Sequence, residues 1–401
     1  MKRILLIALL TLSVCVLLPA EIFRFFHEAG DQYRIVTTVD EDVIINGVFS
    51  HSADILNRIA VRVIEEESDS GRIEAVFLVS ERTAGASTAY QWSSEYTSTF
   101  WRDPRGYYDI SPEYLMPTVR NIPVFPERDL SPGDTWTGEA QEVHDFSKNF
   151  NIEEPLRFPV YVHYTYLDDK TIAGKELAAI SIQYNVFHRT GYRMTGNVYD
   201  LTPVRISGMS EQLFYWDPDL GLPHSYSETF DIVLELASGD TVEYIGTAEG
   251  ILYPAESMNR TRVADEIRKD LEDDGVDDVE VSEEDEGVTL RLNNIQFLPD
   301  SAELVPAEKR KLDTIASILC KYPDRDILVT GHTALAKTAE LRQRLSELRA
   351  RVVADYLIGT GCRTEERVIT RGMGAREPVA DNSTETGRRL NRRVEITILE
   401  N

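Results

Sequence analysis

Alternation of apolar and polar positions dominates residues 32–252. Tyr33-Arg34-Ile35-Val36-Thr37-Thr38-Val39 and residues 74–80 carry the period of two expected of half-buried strands. Residues 55–66 fit either a long strand or a short helix, and Asp69-Ser70-Gly71 reads as the turn beside them. Pro104, Pro112, Pro117, Pro123, Pro126 and Pro132 then exclude long regular elements over 101–135. Alternation resumes strongly afterwards. Phe158, Val160, Val162, Tyr164 and Tyr166 line one strand face; Ile180, Ile182, Tyr184 and Val186 line another. Phe214-Tyr215-Trp216 ends a third strand, and Phe230, Ile232, Leu234 and Leu236 form a fourth, which Ser238-Gly239-Asp240 turns into residues 241–245. The pattern predicts antiparallel β structure with one wet face, built as a sandwich or as an open, half-barrel-like sheet. A membrane barrel would need short strands linked by tight turns throughout, which the proline-rich stretch interrupts.

Period 3.6 appears next. Val263, Ile267 and Leu271 make one stripe of a short helix over 262–273. Residues 279–281 and 287–292 read as a hairpin. The loops between are rich in Asp and Glu, but their spacing does not fit an EF-hand, so they read as a solvated charge run. From residue 293 the order becomes βαβαβ then β. Residues 295–297 end a strand, a helix runs from 301 to about 320, residues 326–330 form a buried strand, and a second helix covers 341–358. Residues 368–370 and 393–398 complete the strands. The expected divisions are 1–20, 21–135, 136–256, a small acidic α/β connector at 257–292, and 293–401.

Charge separates these regions. The net charge is -26, which argues against a nucleic-acid partner, since phosphate binding needs clustered Lys and Arg. Residues 305–401 hold 18 basic and 14 acidic residues, a balance of +4, leaving -30 on the remainder. Met1-Lys2-Arg3 followed by an apolar run over 4–19, with Leu18-Pro19-Ala20 before Glu21, predicts a secretory signal peptide and export to the periplasm. An uncleaved anchor and lipidation at Cys15 are the other readings of this segment. Cys320 and Cys362 each follow a predicted helix; a disulfide and two unpaired small apolar residues both fit. No nucleophile elbow, zinc helix or CxxC pair occurs, and the seven His show no metal-ligand spacing, so neither an enzyme nor a cofactor is expected.

The last region carries the specific motifs. Gly331-His332-Thr333 follows its second strand and Leu345-Ser346-Glu347-Leu348-Arg349-Ala350 lies in its second helix. Gly372-Met373-Gly374, Glu377-Pro378, Asn382, Gly387-Arg388 and Asn391-Arg392-Arg393-Val394 come after. In order and spacing these resemble the OmpA C-terminal domain, found also in peptidoglycan-associated lipoproteins and flagellar-motor stator anchors. The resemblance implies an α/β sandwich that grips the diaminopimelate of a peptidoglycan stem peptide. It also implies envelope proteins or the outer membrane as partners.

In that family an Asp after Gly-His-Thr pairs with the ligand ammonium, and the Arg of Leu-Ser-x-x-Arg-Ala pairs with its carboxylate. The Arg is present as Arg349, but Ala334 stands at the Asp position. Lys337 and Arg342 occupy the usual Gly and Asn positions. Losing one partner of a desolvated charge pair costs about 2–5 kcal/mol, so weak or lost wall binding is expected, against the alternative of a working anchor. The family's binding positions fall on Thr333, Ala334, Arg349, Asn391 and Arg392, with Asp300 as a candidate replacement anion. Plain structural readings also fit: His332 as a hydrogen bonder, Arg349 as a helix-surface cation, and Arg392 and Arg393 as pins of the C-terminal strand.

Overall fold

A computed structural model describes residues 22–83, 88–150, 152–254, 258–293, 295 and 304–400. The expected signal peptide, Cys15 and Asp300 lie outside the described residues.

The first strands are β1 (Gln32–Ile45), β2 (Val48–Glu67), β3 (Ser70–Thr83), β4 (Tyr90–Arg102), β5 (Tyr108–Ile110), β6 (Val119–Arg120) and β7 (Thr135–His144). A single helical turn, α1 (Ser147–Phe150), precedes β8 (Leu156–Ile172), β9 (Lys175–Arg189), β10 (Pro203–Asp217), β11 (Leu222–Leu236) and β12 (Thr241–Pro254). Residues 55–66, ambiguous by pattern, are strand. Their two neighbours decide this, because β2 pairs along its length with both β1 and β3. The turn between β2 and β3 falls at Ser68 and Asp69, both at positive φ, while Ser70 and Gly71 already pair. Asn46 and Gly47, at φ 52° and 74°, make the turn between β1 and β2, the conformation that two-residue hairpins favour.

Every pairing from β6 through β12 to β1 and on to β5 is antiparallel. Because β1 joins β12 as well as β2, the ladder runs across the boundary expected at residues 135–136. Its inner face is apolar and aromatic. Along β8, Phe158, Val160, Val162, Tyr164 and Tyr166 are buried as the alternation predicts. The proline-rich segment fills the interior: Val124, Phe125 and Leu130 are buried there beside Phe23 and Phe25. Phe125 contacts the Trp216 ring at 4.7 Å, and Trp136 donates through Nε1 to the Val124 carbonyl at 2.7 Å.

The C-terminal elements are α2 (Arg260–Asp273), β13 (Val279–Glu284), β14 (Gly287–Asn293), α3 (Pro306–Leu319), β15 (Ile327–His332), α4 (Ala339–Gly359), β16 (Val368–Gly374), α5 (Glu385–Asn391) and β17 (Arg393–Leu399). Strand order is β13-β14-β17-β15-β16, with only β15 and β16 parallel. The acidic segment expected as a separate connector is therefore built into this sheet through the β14–β17 pairing. Val263, Ile267 and Leu271 of α2 join the same core as α3 and α4. Pro306 opens α3, where its missing N–H costs no helical hydrogen bond. A disulfide joins Cys320, just after α3, to Cys362, just after α4.

The two β systems meet. Tyr90 and Gln91 of β4 pair in parallel with Ile369 and Thr370 of β16, occupying the outer edge of the C-terminal sheet. Leu328, Ile369 and Leu399 lie on the side away from the main core and pack with Trp92. No helix among the described residues is long and apolar enough to cross a membrane.

Candidate ligand site in the C-terminal domain

Strand β15 ends at His332 and delivers the chain into the loop that holds Thr333, Ala334 and Lys337. The strand and α4 approach closely. A side chain at Gly331 would stand 2.1 Å from the Ser346 carbonyl, and one at Gly372 would meet Glu347 and Ser346. Ser346 uses the contact: its hydroxyl accepts from Gly374 N at 2.9 Å and donates to the Gln343 carbonyl at 2.7 Å. Thr333 N then donates to the Gly374 carbonyl at 2.7 Å, which fixes the start of the loop.

Asn391 organises the opposite wall. Its carbonyl oxygen accepts from Val379 N and Ala380 N, and its amide donates to the Ala380 carbonyl and to Asn382 Oδ1. Asn382 Oδ1 in turn accepts from Leu335 N at 2.9 Å. Asn391 is 1% exposed, so it acts as an internal clamp that ties the 379–382 segment to the loop. Arg392 pairs with Glu385 at 2.9 Å on the surface, and Arg393 donates to Glu395 and to the Glu377 carbonyl. Both arginines pin the α5–β17 corner.

His332 is buried and its Nε2 lies 3.2 Å from Glu395. Burial drives its pKa down despite that carboxylate. Burial opposes ionisation of Glu395 too, but hydrogen bonds and charge from His332 and Arg393 outweigh it and hold the carboxyl well below its ordinary range. The pair is a scaffold beneath the loop.

At the loop itself, Thr333 and Ala334 are both more than nine-tenths buried, and the Thr333 hydroxyl has no hydrogen-bond partner among the described residues. Lys337 takes a left-handed conformation, φ 60°, which suits the glycine expected there and costs other residues roughly 1–2 kcal/mol. Arg342 donates to the carbonyls of Ala336 and Lys337 at 3.3 and 2.7 Å, closing the loop from α4. Arg342 thus has a structural task. Arg349 lies half-buried on α4, three residues beyond Ser346. The structure brings Thr333, Ala334, Lys337 and Arg342 into one loop-and-helix corner with Asn382 and Asn391 behind it.

Comparison with known proteins agrees with this architecture. Residues 296–392 match the family model described as the OmpA family. Those residues form an OmpA-family domain. Over 121 residues the chain is 39% identical to the probable lipoprotein YiaD of Escherichia coli, covering 30% of this chain and 55% of YiaD. Over 104 residues it is 38% identical to the peptidoglycan-binding protein ArfA of Mycobacterium tuberculosis, covering 26% of this chain and 32% of ArfA. The chain therefore spans about half, or a third, of the length of these relatives. A solved outer membrane protein from Borrelia burgdorferi is 35% identical, with 30% of this chain and 96% of that chain covered and a TM-score of 0.26. The OmpA-family domain accounts for about a quarter of the sequence; the twelve-stranded sheet lies outside the family match.

One junction went unread in the sequence. Asp326, immediately before β15, receives Arg34 at 3.3 Å, Arg58 at 2.8 Å and Arg367 at 3.3 Å. Two of these arginines come from the N-terminal sheet. Arg82 adds ion pairs to Asp54 and Glu365, and its guanidinium lies over the Tyr90 ring. Arg34 and Arg58 sit among strand residues with nothing local to mark them, so no short-range signal distinguishes them from surface cations.

Proposed function

We propose that this chain is an exported, non-enzymatic structural protein of the cell envelope. In this reading its OmpA-family domain contacts peptidoglycan only weakly through the diaminopimelate site. The name of the relative ArfA, a peptidoglycan-binding protein, supports a cell-wall partner for the domain. The observation that carries the weakened affinity is Ala334: a buried methyl group fills the position where the family places the anion for a ligand ammonium. Lys337 and Arg342 add positive charge to the same corner. An ammonium entering there would be desolvated against a methyl group and two cations.

A second reading is a working anchor. It is favoured by the intact Asn382–Asn391 clamp and by Arg349 at the carboxylate-binding position. Asp300 would then be the first residue to examine as a substitute anion.

Co-sedimentation with purified diaminopimelate-type peptidoglycan separates the two. The weakened-site reading expects little wild-type protein in the pellet and at least tenfold tighter binding by Ala334→Asp. Strong wild-type binding that Ala334→Asp leaves unchanged would establish the anchor instead.

A further inference from the structure

Three guanidinium groups converge on one carboxylate where the N-terminal sheet meets the OmpA-family domain. Asp326 Oδ2 accepts from Arg58 and from Arg34, and Asp326 Oδ1 accepts from Arg367 at 3.3 Å. Arg34 and Arg367 also donate together to the Asp324 carbonyl, at 3.1 and 2.9 Å. A single carboxylate cannot balance three arginines. Arg58 is 6% exposed, and its Nη1 has no hydrogen-bond partner among the described residues. Burial lowers the pKa of Arg34; Asp326 works against that fall, while the charges of Arg367 and Arg58 add to it. Buried polar groups are normally satisfied, so an orphaned donor beside uncompensated charge marks a place suited to an anion.

A pocket of about 360 Å³ opens at this cluster, bounded by Arg34, Tyr253, Lys321, Tyr322, Arg325 and Arg367. That volume falls at the lower end of small-molecule sites, about 300–1,000 Å³. The surrounding charges do not cancel the excess. Lys321 pairs with Asp270 at 2.7 Å, and Glu266, which accepts from Tyr322 Oη at 3.0 Å, pairs with Arg262 at 3.6 Å. Asp324 and Arg325 both line the pocket and offset each other. Arg363, which donates to the Leu319 and Tyr322 carbonyls, is offset by Glu366, and Glu365 is taken up by Arg82. What remains is Arg34, Arg58 and Arg367 against Asp326, two positive charges in excess in a chain of net charge -26. The Arg34 guanidinium lies over the Tyr253 ring, 5.1 Å from its centroid, which holds its planar fork at the pocket wall. Guanidinium forks match the spacing of phosphate oxygens, and a dianion balances an excess of two.

We propose that this junction pocket binds a phosphate group, free or as the ester of a small molecule, across Arg34 and Arg367. Bound there, the anion engages an arginine of β1 and one of the OmpA-family domain at once, and so strengthens the docking of the two. The inference does not depend on how the domain meets the wall. It is tested by isothermal titration calorimetry of a chain starting at Glu21, which keeps every described residue, in a chloride buffer at neutral pH. The probes are inorganic phosphate and glycerol 1-phosphate. Saturable binding of either at one site per chain is expected, and the tighter of the two identifies free phosphate or an ester as the source. Arg367→Gln should weaken binding at least tenfold. Asp324→Asn removes the acid in the pocket and should tighten binding about threefold, a gain that misfolding cannot produce. Absence of binding by both probes, wild-type affinity in Arg367→Gln, or weaker binding by Asp324→Asn would overturn the proposal. So would loss of binding in Lys337→Gln with Arg367→Gln unaffected, since the anion would then occupy the loop corner of the OmpA-family domain.

Discussion

Arg58 of β2 donates through Nε to Asp326 at 2.8 Å across 268 residues of sequence, with both side chains more than nine-tenths buried. Arg34 and Arg367 share the same carboxylate. A buried ion pair is poor evidence of net stability, because desolvation offsets much of the attraction. What it does enforce is register: an arginine placed elsewhere on the sheet would be left without its anion. With the β4–β16 strand pairing and the Trp92 contact, it fixes the OmpA-family domain against the N-terminal sheet.

Removing the carboxylate should therefore be far more damaging than an ordinary surface change. Asp326→Ala leaves Arg34, Arg58 and Arg367 facing one another in a buried space, and should cost about 3–5 kcal/mol. Urea unfolding gives the loss. Limited proteolysis should also release the C-terminal domain from the variant faster than from wild type.

Glu41 on β1 predicts a pH dependence. Burial, with the nearby Glu81 adding to it, raises its pKa to about 7 from the usual 4.5. The folded state therefore holds this proton over a range in which the unfolded chain releases it, so stability falls as pH rises from about 4.5 through 7. Glu41→Gln removes that loss. The variant should melt above wild type at pH 8, and the difference should shrink to near zero below pH 4.5 in thermal scans at matched ionic strength.

The disulfide between Cys320 and Cys362 closes a span of 42 residues around β15 and α4. On loop-closure grounds such a crosslink stabilises by about 4 kcal/mol, toward the upper end of the usual range. Cys320→Ala with Cys362→Ala should lower the urea midpoint accordingly. A reducing agent should do the same to wild type and leave the double variant unaffected.

Some of this was legible in the sequence because its causes are local. Period two along β8 and β9 follows from alternate side chains facing one core, and the structure buries Val160, Val162, Ile180 and Ile182 as that pattern requires. The motifs of the C-terminal domain were legible for a related reason: Gly331, Gly372 and Ser346 are required by one close strand–helix approach. Short α5 was missed, although Thr384 caps it by accepting from Gly387 N; seven residues give too little periodicity to read. Asn391 reads from its motif only as a family binding position; its role as a clamp rests on four hydrogen bonds to residues 379–382 that form only in the folded chain.

The sequence by itself determined most of the strands, the longer helices and the chemical character of the 333–342 corner, since residue type and spacing set these within a few turns of chain. Tertiary structure alone decided that β1 would join β12, that Trp92 would cover Leu328, Ile369 and Leu399, and that Arg34 and Arg58 would find Asp326. Those contacts join residues far apart in the chain. Their energies depend on burial and on opposing charge at a shared interface, and neither exists until the two sheets have docked.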